Sequence, residues 1–141
     1  MPGPSMTGQP MTIFQVAGRA MSAQLVRMNT TASNLANVGG TASTAEAAYK
    51  TMKPVFRSSF DAASGMATVD VERIVTAGDA PTKRYDPSNP LADADGNVFE
   101  AAVDETRELV DMMESARTYQ NNVEVMQTAK SLIIDTLKLG R

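Results

Sequence analysis

The sequence has no cysteine, no histidine and no tryptophan. Without thiols there is no disulfide framework, and without imidazole the usual zinc sites and any Ser/His or Cys/His nucleophilic pair are excluded. Aromatic residues make up only 5% of 141 residues, whereas 43% are hydrophobic and 10 are methionine. Such a chain is too apolar to be wholly disordered, yet its cohesion must come from Leu, Val, Met and Ala rather than from large anchors. No window of about 18 consecutive apolar residues is present, so no segment is expected to span a bilayer. With 13 basic and 16 acidic residues, the net charge of −3 gives no electrostatic footprint for nucleic acid or an anionic membrane. Residues 1–10 carry Pro2, Gly3, Pro4, Gly8 and Pro10 with no positive charge and no apolar run. They are expected to be a disordered lead-in rather than a cleavable secretory signal.

What is present is organised by proline. Pro54, Pro81, Pro87 and Pro90 interrupt the middle, leaving residues 11–53 and 91–141 free of it, so long helices are permitted only toward the two ends. In residues 11–38 a strong apolar residue recurs every seven positions, at Phe14, Met21, Met28 and Leu35, with Gly18, Leu25 and Ala32 four residues after the first three. That is a narrow helical seam, ended by Val38-Gly39-Gly40. In residues 104–141, Leu109, Ala116, Val123, Lys130 and Leu137 form one heptad series and Met112, Tyr119, Met126 and Ile133 the other. Acidic residues crowd the start of this second helix and basic ones its end, as the helix macrodipole favours. A straight helix over residues 104–139 would be about 54 Å long, against a diameter under about 40 Å for a compact globule of this size. It must therefore project, and its seam invites partner helices. The expected fold is α+β: long N- and C-terminal helices pairing as an antiparallel coiled coil, with a linker and small β-containing unit over residues 39–103.

In that middle region, Val69 and Val71 alternate and then the phase shifts at Ile74, as in a bulged strand. Residues 85–90 are a turn cluster, and Asn97-Val-Phe99 is a candidate short strand. Asp93, Asp95 and Asn97 are spaced like the start of a calcium loop, but the glycine needed at loop position six is Val98 and the last ligand would be Asp104 rather than glutamate. A turn is the simpler reading. A carboxylate pair drawn from Asp86, Asp93 and Asp95 lacks the apolar surroundings that would separate their proton affinities. No catalytic, cofactor-binding or metal site is expected, and no small-molecule substrate. Asn34, Asn37 and Tyr119-Gln-Asn-Asn122 lie beside the seams, where a side-chain amide either caps a helix or selects one register of packed helices.

Ala32-Ser-Asn-Leu-Ala-Asn37 resembles the N-terminal signature of the bacterial flagellar axial proteins, the rod, hook and their relatives. Glu114-Ser-Ala-Arg-Thr-Tyr-Gln-Asn-Asn-Val-Glu-Val-Met-Gln-Thr-Ala-Lys-Ser-Leu132 resembles the C-terminal end of that family's proximal-rod members, as do residues 85–90 and 92–96 in the middle. The residues that carry the signature are Asn34, Ala36, Asn37, Arg117, Tyr119, Gln120 and Asn122. Gly39-Gly40 and the Ala/Ser/Thr run after them replace the family's Thr-x-Gly-aromatic continuation. The resemblance implies a structural subunit without enzymatic activity, polymerising in the periplasmic rod around an export channel and passing motor torque toward the hook. It implies further copies and other rod proteins as partners, and export unfolded by the flagellar type III apparatus without a cleavable signal peptide. A second reading is a soluble helical-hairpin adaptor or secretion chaperone that holds a partner helix in its groove.

Overall fold

The computed structural model describes residues 12–140; the lead-in expected at residues 1–10 lies outside them. The fold is α+β, with two helices and two small antiparallel sheets. Helix α1 spans Ile13–Ala36 and starts on a capping box: the Gln15 amide donates to Thr12 Oγ1 at 3.3 Å, and the Thr12 amide donates to Gln15 Oε1 at 3.0 Å. Helix α2 spans Glu105–Leu139, about 52 Å at 1.5 Å per residue. The Asp104 carboxylate caps it by accepting from the Arg107 amide, Glu105 and Glu108 occupy the first turn, and Lys138 the last.

The chain leaves α1 through Asn37, whose side chain donates to the Ser33 carbonyl, and turns at Gly39, where φ is +74°. It then forms β1, Thr41–Ala42, which pairs with β5, Asn97–Glu100, the strand that leads into α2. With the Ala101 amide donating to the Gly40 carbonyl at 2.8 Å, this pairing clasps the exit of α1 to the entry of α2. Strand β4, Thr82–Tyr85, completes the sheet in the order β1-β5-β4. The turn between β4 and β5 is built by Asp93, whose Oδ1 accepts from the amides of Asp95 and Asn97, both at 2.9 Å.

The second sheet is a long hairpin of β2, Met52–Asp61, and β3, Met66–Thr76. Its register shifts where Val55 faces Arg73 and Phe56 faces Val71, leaving Glu72 as the extra residue. This is the bulge that the phase change in the sequence anticipates. The hairpin lies along α1: the buried Thr68 accepts from the Arg19 guanidinium at 3.3 Å, and Asp70 pairs with the same group at 3.6 Å.

The interior is made of small side chains. The buried apolar residues among those described are Ala17, Ala23, Ala48, Val98, Ala101 and Ala129, while Phe60, Ile74, Leu109, Leu132 and Leu139 are exposed. Burying alanine removes little area from water, so the subunit alone gains little of the roughly 25 cal/mol per Å² that holds an ordinary core together.

Two glycines test the turn geometry. At Gly65 φ is +70° and an added Cβ meets nothing within 4 Å, whereas at Gly96 φ is +77° and the Cβ would stand 2.9 Å from Tyr85 Cε2 and 3.2 Å from Pro87 Cβ. Gly65→Ala should cost about 1 kcal/mol of stability in urea unfolding, from the left-handed backbone alone. Gly96→Ala should cost about 2–3 kcal/mol because overlap adds to it; equal losses would show that the β4–β5 turn is looser than described.

Candidate assembly surface

The contact between the helices is polar and close. On α2 the residues at 108, 115, 122 and 129 recur at seven-residue spacing as Glu, Ser, Asn and Ala; Glu108, Ser115 and Ala129 are buried and Asn122 half-buried. On α1 the buried residues are Ala17, Ala23, Thr30, Thr31 and Asn34. Hydroxyls are tolerated here because they are satisfied within their own helices. Ser115, 0% exposed, donates to the Asp111 and Met112 carbonyls, and Thr30 donates to the Val26 carbonyl. Small side chains let the backbones approach, and the polar bonds fix their alignment. Arg27 Nη2 reaches Asp111 at 3.1 Å and Glu114 at 3.3 Å, while Asn34 Nδ2 donates to Glu108 Oε2 at 2.9 Å. The residue numbers therefore rise along α1 as they fall along α2.

The Asn34 side chain is the most connected group in this contact. Its Nδ2 donates to Glu108 Oε2 and to the Met52 carbonyl, each at 2.9 Å. Its Oδ1 accepts from the Met52 amide at 3.0 Å and from the Tyr49 hydroxyl at 2.7 Å. Asn34 is 1% exposed and Glu108 3%.

The heptad residues singled out in the sequence flank this buried line. Phe14, Met21, Met28 and Leu35 on α1 are half-buried, and Leu25 and Ala32 are exposed. On α2, Met112, Ala116, Tyr119, Val123 and Met126 are half-buried, while Leu109, Ile133 and Leu137 are exposed. Every residue from 130 to 140 is exposed, so Leu132, Ile133, Ile134, Leu137 and Leu139 form an apolar end that the subunit does not cover. Of the signature residues, Asn34 is buried, Asn37 caps α1, and Asn122, half-buried, donates to the Thr118 carbonyl at 3.0 Å. Tyr119 is half-buried, and Ala36, Arg117 and Gln120 are exposed. Arg117 lines a shallow apolar hollow with Val110 and Met113.

Glu108, Ser115, Ala129, Tyr49 and Met52 are not among the seam or signature residues that the sequence picks out. The exact-heptad recurrence of small or polar residues at 108, 115, 122 and 129 is the signal that marks the first three; the last two join the contact through long-range bonds that no local pattern reveals.

Two terminal helices joined by a polar line and carrying exposed apolar surface define a structural subunit of the kind that is completed by neighbours. Two family models match the same two helical ends: "Flagella basal body rod protein" over residues 14–42 and "Flagellar basal body rod FlgEFG protein C-terminal" over residues 95–139. The flagellar basal-body rod protein FlgC of Salmonella typhimurium is 43% identical over 133 residues, covering 93% of this chain and 98% of that protein. FlgC of Yersinia enterocolitica is 38% identical with the same coverage, and FlgC of Agrobacterium fabrum 33% identical over 89% of this chain and 91% of its own length. The chain belongs to the FlgC family of flagellar basal-body rod proteins and is a structural rod subunit.

The closeness of the helices has a measurable consequence. Ser115→Ala should change stability by less than about 0.5 kcal/mol, since the hydroxyl bonds only its own helix. Ser115→Leu should cost about 1–3 kcal/mol, because a branched side chain in place of the small hydroxymethyl group overpacks the line between the backbones. Chemical denaturation of both variants reads the difference, and an unaffected Ser115→Leu would place the close approach elsewhere.

Proposed function

We propose that this chain is a subunit of the proximal part of the rod, polymerising around the export channel and transmitting motor torque toward the hook. The observation that carries this reading is the apolar end of α2, left exposed by a chain of the FlgC family. Each leucine-sized side chain there gains about 1.5–3 kcal/mol when a neighbour buries it. In the assembly the terminal helices pair as an antiparallel coiled coil, with residues 11–38 and 104–141 as its strands and residues 39–103 as a linker and β-rich unit facing neighbours. The flanking heptad residues, Phe14, Met21, Leu25, Met28, Ala32 and Leu35 with Leu109, Met112, Ala116, Tyr119, Val123, Met126, Ile133 and Leu137, form the surface on which copies and other rod proteins pack.

Torque has to cross such interfaces without shear, and long helices spread it over many small dispersion contacts. Met21, Met28, Met112, Met113 and Met126 suit a surface that meets slightly different neighbours, because an unbranched thioether adapts its shape. No reaction and no cofactor enter this reading, and no helix among the described residues is long and apolar enough to cross a membrane. Delivery to the periplasmic rod is by the flagellar type III apparatus. Family membership disfavours the adaptor or chaperone reading.

Leu137, 66% exposed, separates folding from assembly. Leu137→Asp should leave unfolding of the free subunit within about 0.5 kcal/mol of the parent, as surface substitutions do. It should weaken self-association in light scattering tenfold or more, the equivalent of about 1.4 kcal/mol, and remove the chain from isolated rods. Normal incorporation of Leu137→Asp would refute the proposed interface.

A further inference from the structure

Asn34 joins three elements that are remote in sequence: its own helix, Met52 at the root of the hairpin 18 residues away, and Glu108 on α2, 74 residues away. A primary amide offers two N–H donors and two acceptor sites, and all four are used, with the Ser33 hydroxyl meeting the same Tyr49 hydroxyl at 3.2 Å. The two bonds to Met52 copy the pairing of one strand residue with another, so β2 is read by its backbone and held at one position rather than by a side-chain shape. Open clefts flank the junction on both sides, one lined by Lys53, Asp104 and Arg107, the other by Arg27, Pro54 and Asp111, and both reach Glu108. Further out, the hairpin is tied to α1 by the buried Thr68 and by Asp70 on the Arg19 guanidinium, a contact remote from its root. Moving α2 one way by three or four residues exchanges Glu108 for Asp111, already bonded to Arg27, or for Met112, whose side chain has no oxygen to accept; moving it the other way brings Glu105 or the helix cap Asp104, whose carboxylate already accepts from the Arg107 amide.

We infer that Asn34 and Glu108 are the positioning residues of the assembly: one shared amide sets α1, α2 and β2 in a single register. It thereby sets where the outer apolar residues of the hairpin, Phe56, Phe60 and Val69, stand relative to the helices. The inference rests on the reading that copies pack through these surfaces, but the junction itself can be measured without rods.

The chain has no cysteine, so Ser58→Cys on β2 and Gln120→Cys on α2, both exposed, allow two spin labels to be placed on the full-length protein and their separation measured by pulsed electron resonance. The parent should give one narrow distance. Asn34→Asp should at least double the width, because it sets two carboxylates against each other and takes the donor from the Met52 carbonyl. Glu108→Gln should stay narrow, since its amide oxygen still accepts from Asn34. The combination of Asn34→Asp with Glu108→Gln, which reverses donor and acceptor, should recover most of the sharpness at unchanged helix content. A merely structural role would lower the melting temperature of Asn34→Asp and leave the distance narrow; that result, or a combination no sharper than Asn34→Asp alone, overturns the inference. Incorporation of the same proteins into isolated rods is scored separately. Failure of the parent to incorporate would count against the rod reading and leave the distance result intact.

Discussion

A side-chain amide taken out of water loses four hydrogen-bonding positions at once, and it survives burial only where the fold returns all four. At Asn34 it does, through Met52, Tyr49 and Glu108. Leaving any one of these partners unmatched costs about 1–3 kcal/mol, and more where the orphan is the Glu108 carboxylate. The remaining architecture is compatible with that one arrangement. The clasp of β1 on β5 brings the exit of α1 to the entry of α2, so that residues 34 and 108 can meet. The hairpin root arrives beside them because only a short segment, running through Tyr49, separates β1 from β2.

This division between polar centre and apolar flank explains how so modest a core suffices. If the helices met through leucine and methionine, those side chains would be consumed inside one subunit. Meeting instead through Ser115, Ala129, Ala17 and Ala23, the backbones come close and the larger side chains are left beside the line or beyond it. The subunit is thereby poor in internal hydrophobic stabilisation and rich in surface that gains when covered.

Much of this was legible in the sequence. Proline placement confined the long helices to the ends, glycine marked the end of the first and acidic residues the start of the second, and the slip in alternation at Ile74 marked the bulge opposite Val55 and Phe56. Asn34 stood out as an amide beside a seam. Which line of α2 faces α1 was harder to read: a small and polar heptad at 108, 115, 122 and 129 runs beside an apolar one, and by hydrophobicity Leu109, Ala116 and Val123 outweigh Glu108, Ser115 and Asn122, one residue earlier. One residue on a helix is a turn of about 100°, enough to move Leu109 to the exposed side while Glu108 is buried. The partners of Asn34 were hidden for a different reason: Met52 offers its backbone, which carries no sequence signal.

The two heptad lines on α2 answer different needs. A line that must choose one register within a chain is served by directional bonds, since each donor and acceptor pairs at one offset and is orphaned at others. A line that must accept neighbours is served by apolar and flexible side chains, whose contacts lose little when geometry shifts by a fraction of a residue. Placing the directional line inside and the adaptable line outside lets each subunit be rigid in itself and tolerant toward the next. A shaft that turns needs its units to keep their own shape while the contacts between them share the strain. The exposed last turns of α2, beyond the reach of Asn34 and Arg27, carry apolar side chains that no directional bond across the helix pair constrains, so the adaptable line runs on past the end of the directional one.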